Sequence, residues 1–275
     1  SSSLFAQETP KKWTLEACIQ HALENNITVK QTQLDLDGAE IDVKDAIGNY
    51  LPNLNLGANN QWVSGLTQNI TTGVLEQQVN RNFSVNATSS ISIFNGLANL
   101  REFERAKINR LSNTYNLNLI KDDISLAVAN SYLQVLVSKQ SLAVLEEQNK
   151  VTQEQLAQTQ AQVDAGTLPE GEILEIKAQN ADELRQIAIA QNDVQVSLIG
   201  LAQNLLIKDY ENFDIADEDY DVPITEILDK SPEEIIEQAK RERYEILVAE
   251  QDVELAKKDL ELAKSQYYPT LNAFF

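Results

Sequence analysis

Across 275 residues there is one cysteine, one histidine and no methionine. The single cysteine, Cys18, excludes an internal disulfide and any cysteine-built zinc cage. With His21 the only histidine, the usual nucleophile–base dyads have no material. No enzyme activity, no cofactor and no metal site is expected. The triplet Asp217-x-Asp219-x-Asp221 opens like a calcium loop, but Val222 stands where the glycine belongs and Leu228 where the closing glutamate belongs. No run approaches the ~18 apolar residues of a membrane-spanning helix, so a chain like this crosses a bilayer only with strands. Basic clusters are missing as well. The net charge is −20, and an acidic excess without Lys/Arg runs argues against nucleic-acid binding. Acid-rich surfaces mainly keep a protein soluble; a lining that screens cationic cargo is the sharper alternative.

Proline and glycine are absent from Leu97 to Val163. At about 1.5 Å per residue this stretch reads as one helix on the order of 100 Å long. The mean globular helix has only about 11–12 residues, so a compact domain is a poor host for it. The break Asp164-Ala165-Gly166-Thr167-Leu168-Pro169-Glu170-Gly171 then supplies the residues that stop and turn helices. Glu172 opens a return helix with Leu184, Ile187, Val194, Leu198, Leu201 and Leu205 in heptad steps and Gln191 as the polar interruption. Between Leu119 and Leu145 apolar residues cover more than one helix face. A helix of that kind packs against neighbours on both sides, as a stave does in a cylinder.

The first helical stretch, Trp13 to Tyr50 in one or two pieces, has Thr14 as its N-cap. Its seam is Val29, Thr32, Leu36, Ala39, Val43, Ala46 and Tyr50. Large and small residues alternate there, which lets two helices approach closely. After Leu51-Pro52 the period changes to two. Leu54, Leu56, Ala58 and Trp62 share one face against Asn53, Asn55, Gly57, Asn59 and Gln61. Residues 64–80 read as a polar loop. A second alternation follows, with Phe83, Val85, Ala87, Ile91 and Ile93 against Asn82, Ser84, Asn86, Thr88, Ser90 and Ser92. The polar faces are nearly uncharged, which suits a wall with lipid on one side and a water-filled lumen on the other. A soluble hairpin is the competing reading of the alternation alone. Phe94-Asn95-Gly96 reads as a turn.

A constant offset superposes the end of the chain on its beginning. Ser231 falls on Thr14, Ile246 on Val29, Ala256 on Ala39, Tyr267 on Tyr50, Pro269 on Pro52 and Asn272 on Asn55. The second seam is Ile246, Ala249, Val253, Ala256, Leu260, Ala263 and Tyr267, and Ser231-Pro232-Glu233-Glu234 reads as a capping box.

The expected organisation is therefore as follows. Residues 1–12 are a tail left by a secretory signal. Residues 13–207 are a first repeat, with helix 14–50, strands 53–63 and 81–94, long helix 97–163, tip 164–172 and return helix 172–207. Residues 208–230 are an acidic connector. Residues 231–275 open a second repeat, with helix 232–267 and a third strand from 269, and a longer protein is expected to complete it. The fold class is mainly α, with long antiparallel coiled-coil helices and a transmembrane β portion.

At these residues the chain resembles the TolC-like outer-membrane efflux protein family. The resemblance rests on Tyr50-Leu51-Pro52-Asn53-Leu54, Ser92-Ile93-Phe94-Asn95-Gly96, Ala129-Asn130-Ser131-Tyr132-Leu133-Gln134-Val135-Leu136, and the tip Gly166-Thr167-Leu168-Pro169-Glu170-Gly171-Glu172-Ile173-Leu174. The internal duplication completes it. The resemblance implies a homotrimer whose protomers share a twelve-stranded outer-membrane β-barrel and an α-barrel of helical staves through the periplasm, with the connector 208–230 in an equatorial collar. It implies a passive exit duct of a tripartite efflux or type I secretion system. The partners would be a periplasmic adaptor (membrane fusion) protein, an inner-membrane RND, ABC or similar transporter, and outer-membrane lipid. Residues 166–172 would form the tip that meets the adaptor, and Glu172 would take part in an entrance lock. Leu168-Pro169-Glu170-Gly171 departs from the commoner apolar tip. Pro52, Gly96 and Pro269 would be structural turns. The competing class is a structural coiled-coil or adaptor protein with no channel. It explains the heptads but not the paired strands between proline and glycine turns.

Overall fold

The computed structural model describes residues 12–68, 70–217 and 230–275. The expected signal remnant except Lys12, and most of the acidic connector, Asp219 and Asp221 included, lie outside these residues. The elements are α1 (Leu15–Asn25), α2 (Ile27–Gly48), β1 (Asn53–Gln68), β2 (Leu75–Asn95), α3 (Ala98–Asp164), α4 (Gly171–Asn204), α5 (Pro232–Glu242), α6 (Tyr244–Ser265) and β3 (Thr270–Phe274). The protein is mainly helical, with one antiparallel sheet in the order β1-β2-β3. It divides into two compact units, Ser1–Leu34 with Asn116–Ala239, and Asp35–Tyr115 with Lys240–Phe275.

The duplication extends to the element boundaries: the offset that maps Ser231 onto Thr14 carries α5 onto α1, α6 onto α2 and the start of β3 onto that of β1. It also reproduces a break inside each helical stretch. Asn26 is extended (φ −60°, ψ 133°) and ends α1 by donating its backbone N–H to the Ala22 carbonyl. Its side-chain oxygen then accepts from the N–H groups of Thr28 and Val29, so one asparagine closes one helix and caps the next. Arg243, its counterpart, is likewise extended (φ −78°, ψ 122°) with no side-chain cap. The second stretch, expected as one helix 232–267, is thus two; neither break holds a glycine or proline to announce it. Thr14 caps α1, and Ser231 and Glu234 exchange hydrogen bonds at the start of α5.

In the first unit α1, α3, α4 and the segment 207–217 share a core. Cys18, Ala22, Val128, Tyr132, Val135, Val194, Leu198, Leu201, Ala202, Leu205, Phe213 and Ile215 are its buried members. Burial without a compensating charge pushes the Cys18 thiol up to about 12, so it behaves as a small core side chain. The return-helix seam differs from expectation at its far end. Glu183 and Ala190 are buried there, while Leu184 is 47% exposed. The buried positions Leu201, Leu198, Val194, Ala190 and Ile187 run in steps of three and four, with no two steps of three in succession. The step beyond Ile187 is therefore four and reaches Glu183, and the adjacent leucine is turned about 100° away.

In the second unit the α2 seam is closed: Ala39 and Ala46 are buried, as is Ala106 of α3, and Asn99 donates to the Asn49 carbonyl at the end of α2. The seam of α6 is open, with Val253 and Leu260 each more than half exposed. Its other face meets α3 through ion pairs instead. Arg101 binds Glu261, Arg105 binds Asp259, and Lys258 binds Glu104 and Glu261.

Candidate functional site

Three places hold the residues singled out from the sequence. The first is the sheet. The β1/β2 register places Leu56 opposite Ala87, Ala58 opposite Val85, Leu54 opposite Ser89 and Trp62 opposite Arg81. Residues directly opposite each other point to the same face. The two alternations, read separately, therefore land on one side. The other side pairs Asn53 with Ser90, Asn55 with Thr88, Gly57 with Asn86 and Asn59 with Ser84. On the apolar side Leu56 is 74% exposed and Phe83 64%. A sheet of a soluble fold would bury that face against another layer.

The strands are longer than expected. Residues 64–68 extend β1 and 75–80 extend β2, so the loop expected over 64–80 is shorter by these residues. Leu66, Leu75 and Val79 fall on the apolar side there, each opposite a polar residue, Gln77, Gln68 and Ser64. Ladder bonds are made by the backbone, so such a diluted alternation still pairs once its neighbours set the register. Phe94 and Asn95 also belong to β2, and the turn follows at Gly96. Ile93 lies at a register shift: Ser92 pairs with Asn272, and Phe94 with Leu271. The extra residue of such a bulge is left unpaired. Phe94 thereby joins Leu271 on the side of Ile91 and Ala273. Pro52 and Pro269 stand just before β1 and β3.

The second place is the hairpin tip. Gly166 has φ +69°, its N–H donates to the Val163 carbonyl and that of Thr167 to the Gln162 carbonyl. This paired closure satisfies the last carbonyls of α3 and needs a left-handed residue at Gly166. Thr167 reinforces it by donating its hydroxyl to the Gln162 carbonyl. Glu170 precedes α4 without a side-chain cap. Gly166, Thr167, Pro169, Glu170, Gly171 and Glu172 are exposed, Leu168 is half-buried and Ile173 is buried. Among the described residues the Glu172 carboxylate makes no ion pair.

The third place was not singled out as a site. Trp13 and Ile215 form a parallel bridge, Trp13 N–H donating to the Asp214 carbonyl and Ala216 N–H to the Trp13 carbonyl. Lys139 of α3 reaches Asp214 at 2.6 Å, Asp217 at 3.2 Å and the Ile215 carbonyl at 3.2 Å. Lys12 meets both aspartates at 3.3 Å. A strap made of residues 207–217 is thus tied to α1 and α3 by two lysines, two aspartates and the hydroxyl of Tyr132. Tyr132 lies in the motif used for the family resemblance. Asp217 stood out only as the start of a calcium-like triplet, and nothing local linked either aspartate to Lys139, because 75 residues separate Lys139 from Asp214 in sequence.

No group of His, Cys, Asp and Glu among the described residues could hold a metal ion, and no helix there is long and apolar enough to cross a membrane.

Comparison with known proteins gives one family and one fold. The family model "Outer membrane efflux protein" matches residues 18–205. No curated protein matches. Among solved structures, the CmeC outer membrane channel of Campylobacter jejuni aligns over 94% of this chain and 55% of its own, at 14% identity and a TM-score of 0.74. CusC aligns over 99% of this chain and 62% of its own, at 18% identity and a TM-score of 0.74. The outer membrane protein VceC of Vibrio cholerae aligns over 94% and 61%, at 17% identity and a TM-score of 0.70. The chain spans less than two thirds of each of these proteins.

Proposed function

Because this chain belongs to the outer membrane efflux protein family, we propose that the protein containing it is an outer-membrane exit duct. Three copies share a β-barrel in the outer membrane and continue it as an α-barrel through the periplasm. One observation carries the proposal most. The exposed apolar strand faces lie on one side of a sheet whose other side is uncharged Asn, Gln, Ser, Thr and Gly along the paired stretch 53–62. Lipid satisfies the first side and a water-filled lumen the second. Leu54, Leu56, Ala58, Trp62, Phe83, Val85, Ala87 and Ile91 are the lipid-facing set, with Ile93 at the bulge.

The open seam of α6 supports the same reading. In the first repeat the equivalent seam is filled against α3, and the repeat calls for a second long helix to fill the other. On α3 itself Val137, Val144 and Val151 stay exposed while Val128 and Val135 are buried, which leaves one flank for a neighbouring stave. The tip 166–172 is the contact for a periplasmic adaptor, Glu172 is available for an entrance lock between copies, and an inner-membrane transporter supplies the energy.

The test is electrical. The full-length protein, refolded and isolated as a trimer, is added to planar bilayers, and stepwise ion conductance is expected. A properly assembled trimer that never conducts ends the duct reading.

A further inference from the structure

On the apolar side of the β1/β2 ladder one charged residue occurs, Arg81. In a chain with a net charge of −20, the single charge on this face is a cation. Its guanidinium carbon lies 5.3 Å from the centroid of the Trp62 ring, the residue directly opposite it. Among the described residues no carboxylate pairs with it and no acceptor takes its N–H groups. An arginine over an indole is held by the ring, and its planar fork of donors stays turned outward.

The position along the strands gives this pair a meaning. From Leu54 to Trp62 the apolar face runs for eight residue steps, roughly 26 Å along the strand at ~3.3 Å per residue. At the ~40° tilt of a membrane barrel, that is roughly 20 Å of height, close to the ~25 Å apolar band of such walls. The end where the helices join carries Tyr50, Tyr267 and Tyr268, all exposed. Beyond Trp62 and Arg81 the same side mixes Val79, Leu66 and Leu75 with Ser64, Gln77 and Gln68. The pair therefore stands where the denser apolar stretch thins toward the opposite edge, the region in which hydrocarbon gives way to headgroups and aromatic side chains collect.

We propose that Arg81, held over Trp62, binds the phosphate of a lipid whose acyl chains lie along the apolar face below it, between Ala58 and Phe83. The phosphate oxygens accept from the guanidinium fork, and the chains cover the exposed Val85 and Phe83. The proposal rests on the barrel reading above.

The full-length trimer in detergent is mixed with bis-phosphorylated lipid A or with its dephosphorylated form, and lipid retained on the trimer is read by native mass spectrometry. The wild-type trimer is expected to retain the phosphorylated form about tenfold more strongly, the size of one charge-assisted hydrogen-bonded contact. In Arg81→Gln that preference falls to near unity, and in Arg81→Lys, which keeps the charge without the fork, it falls part of the way. Excess inorganic phosphate leaves retention unchanged, because it cannot use the apolar face. Equal retention of the two lipids by the wild type overturns the proposal, as does an unchanged preference in Arg81→Gln or displacement by inorganic phosphate. The wild-type preparation is also measured in planar bilayers. Conduction without a phosphate preference removes only this inference, and absence of conduction removes the barrel reading with it.

Discussion

The hydroxyl of Tyr132 donates to the Ala216 carbonyl at 2.9 Å, from a side chain with no exposed surface. It also lies 3.3 Å from the Trp13 carbonyl. One phenol on α3 therefore holds both segments of the bridge that closes the first unit. Tyr132→Phe removes the donor while keeping the ring, and a loss of about 1–2 kcal/mol is expected. Tyr132→Ala also empties a core position, at about 3–5 kcal/mol. Thermal unfolding followed by circular dichroism checks the order, and limited proteolysis should open first within 207–217. Cleavage elsewhere first, or a Phe variant as stable as wild type, contradicts the role given to this hydroxyl.

Acid should loosen the same strap. Burial disfavours the charged forms of Asp214 and Asp217, but hydrogen bonds and charge from Lys139, joined by Lys12, outweigh it and hold both carboxyls below their ordinary value. A carboxyl depressed in the folded state contributes stability that is present above its unfolded pKa, near ~3.9 for Asp, and is lost as pH falls through the folded value. The strap is therefore complete at neutral pH and weakens below about pH 4. Lys12 is raised, chiefly by its hydrogen bond to Asp214. Its contribution is complete below the ordinary lysine value and is lost only as pH rises through the folded one. Lys12 and Asp217 are at least half exposed, so solvent screens their share and Lys139 with Asp214 dominates. Lys139→Gln leaves two carboxylates without their central cation and should cost about 1–3 kcal/mol at pH 7. It should also flatten the fall in proteolytic resistance between about pH 5 and pH 3. An unchanged acid profile in the variant would show that other carboxyls govern it.

Gly96 and Gly166 share a left-handed backbone, with φ +67° and +69°, but not the same surroundings. A Cβ on Gly166 meets open space, so Gly166→Ala costs only the backbone term, about 1–2 kcal/mol. A Cβ on Gly96 would run into the Ser265 carbonyl oxygen at the end of α6 and lie 2.8 Å from Tyr268 Cβ. Gly96→Ala should therefore cost about 3 kcal/mol or more, with strain added to the backbone term. Expression with trimer yield is the readout: near-normal for Gly166→Ala and sharply reduced for Gly96→Ala. Equal yields would mean that the strand-to-helix corner relaxes without penalty.

What could be read from the sequence divides along the range of the forces involved. The alternation at 54–62 and 83–91 was legible because a strand face repeats every two residues, and the register then joined the two faces. The duplication was legible because Pro52 and Pro269 stand in equivalent places. The breaks at Asn26 and Arg243 were not, since an asparagine or an arginine can sit equally well within a helix. The residues 64–68 and 75–80 hid their strands because Leu66, Leu75 and Val79 are too few and too widely spaced to show an alternation, while the backbone pairing that holds them leaves no mark on side chains. Lys139 with Asp214 was invisible for a different reason, as a tertiary contact has no period. At the far end of the return-helix seam a leucine at 184 fits a step of three from Ile187, but the buried position is Glu183. Its partners Asn149 and Thr152 lie on the other helix and leave no trace in the local pattern.

That glutamate supports the last expectation. Glu183 lies in the α3/α4 seam among neutral donors alone: Gln179 at 2.9 Å, Asn149 at 3.0 Å and Thr152 at 2.9 Å. Asn149 also donates to Asn180 and accepts from Gln153. The hydrogen bond from Gln179, with those from Asn149 and Thr152, holds the carboxyl below its ordinary value against the cost of burial. Two carboxylate oxygens accept all three donors, whereas an amide has one acceptor and turns its own donors toward the others. Glu183→Gln should therefore strand a donor at Asn149 or Thr152, both nearly fully buried. A polar set at one seam position also fixes the register of two helices, since sliding either by a turn separates the partners. Amide exchange within 145–155 and 179–187 should quicken by about tenfold, the scale of one charge-assisted hydrogen bond, while exchange at the tip 164–172 stays as it was. The same two stretches should quicken in the wild type as pH falls through the folded value of this carboxyl, after correction for intrinsic rates. Uniform acceleration along the whole hairpin would mean that the cluster contributes general stability and does not set the alignment of α3 and α4.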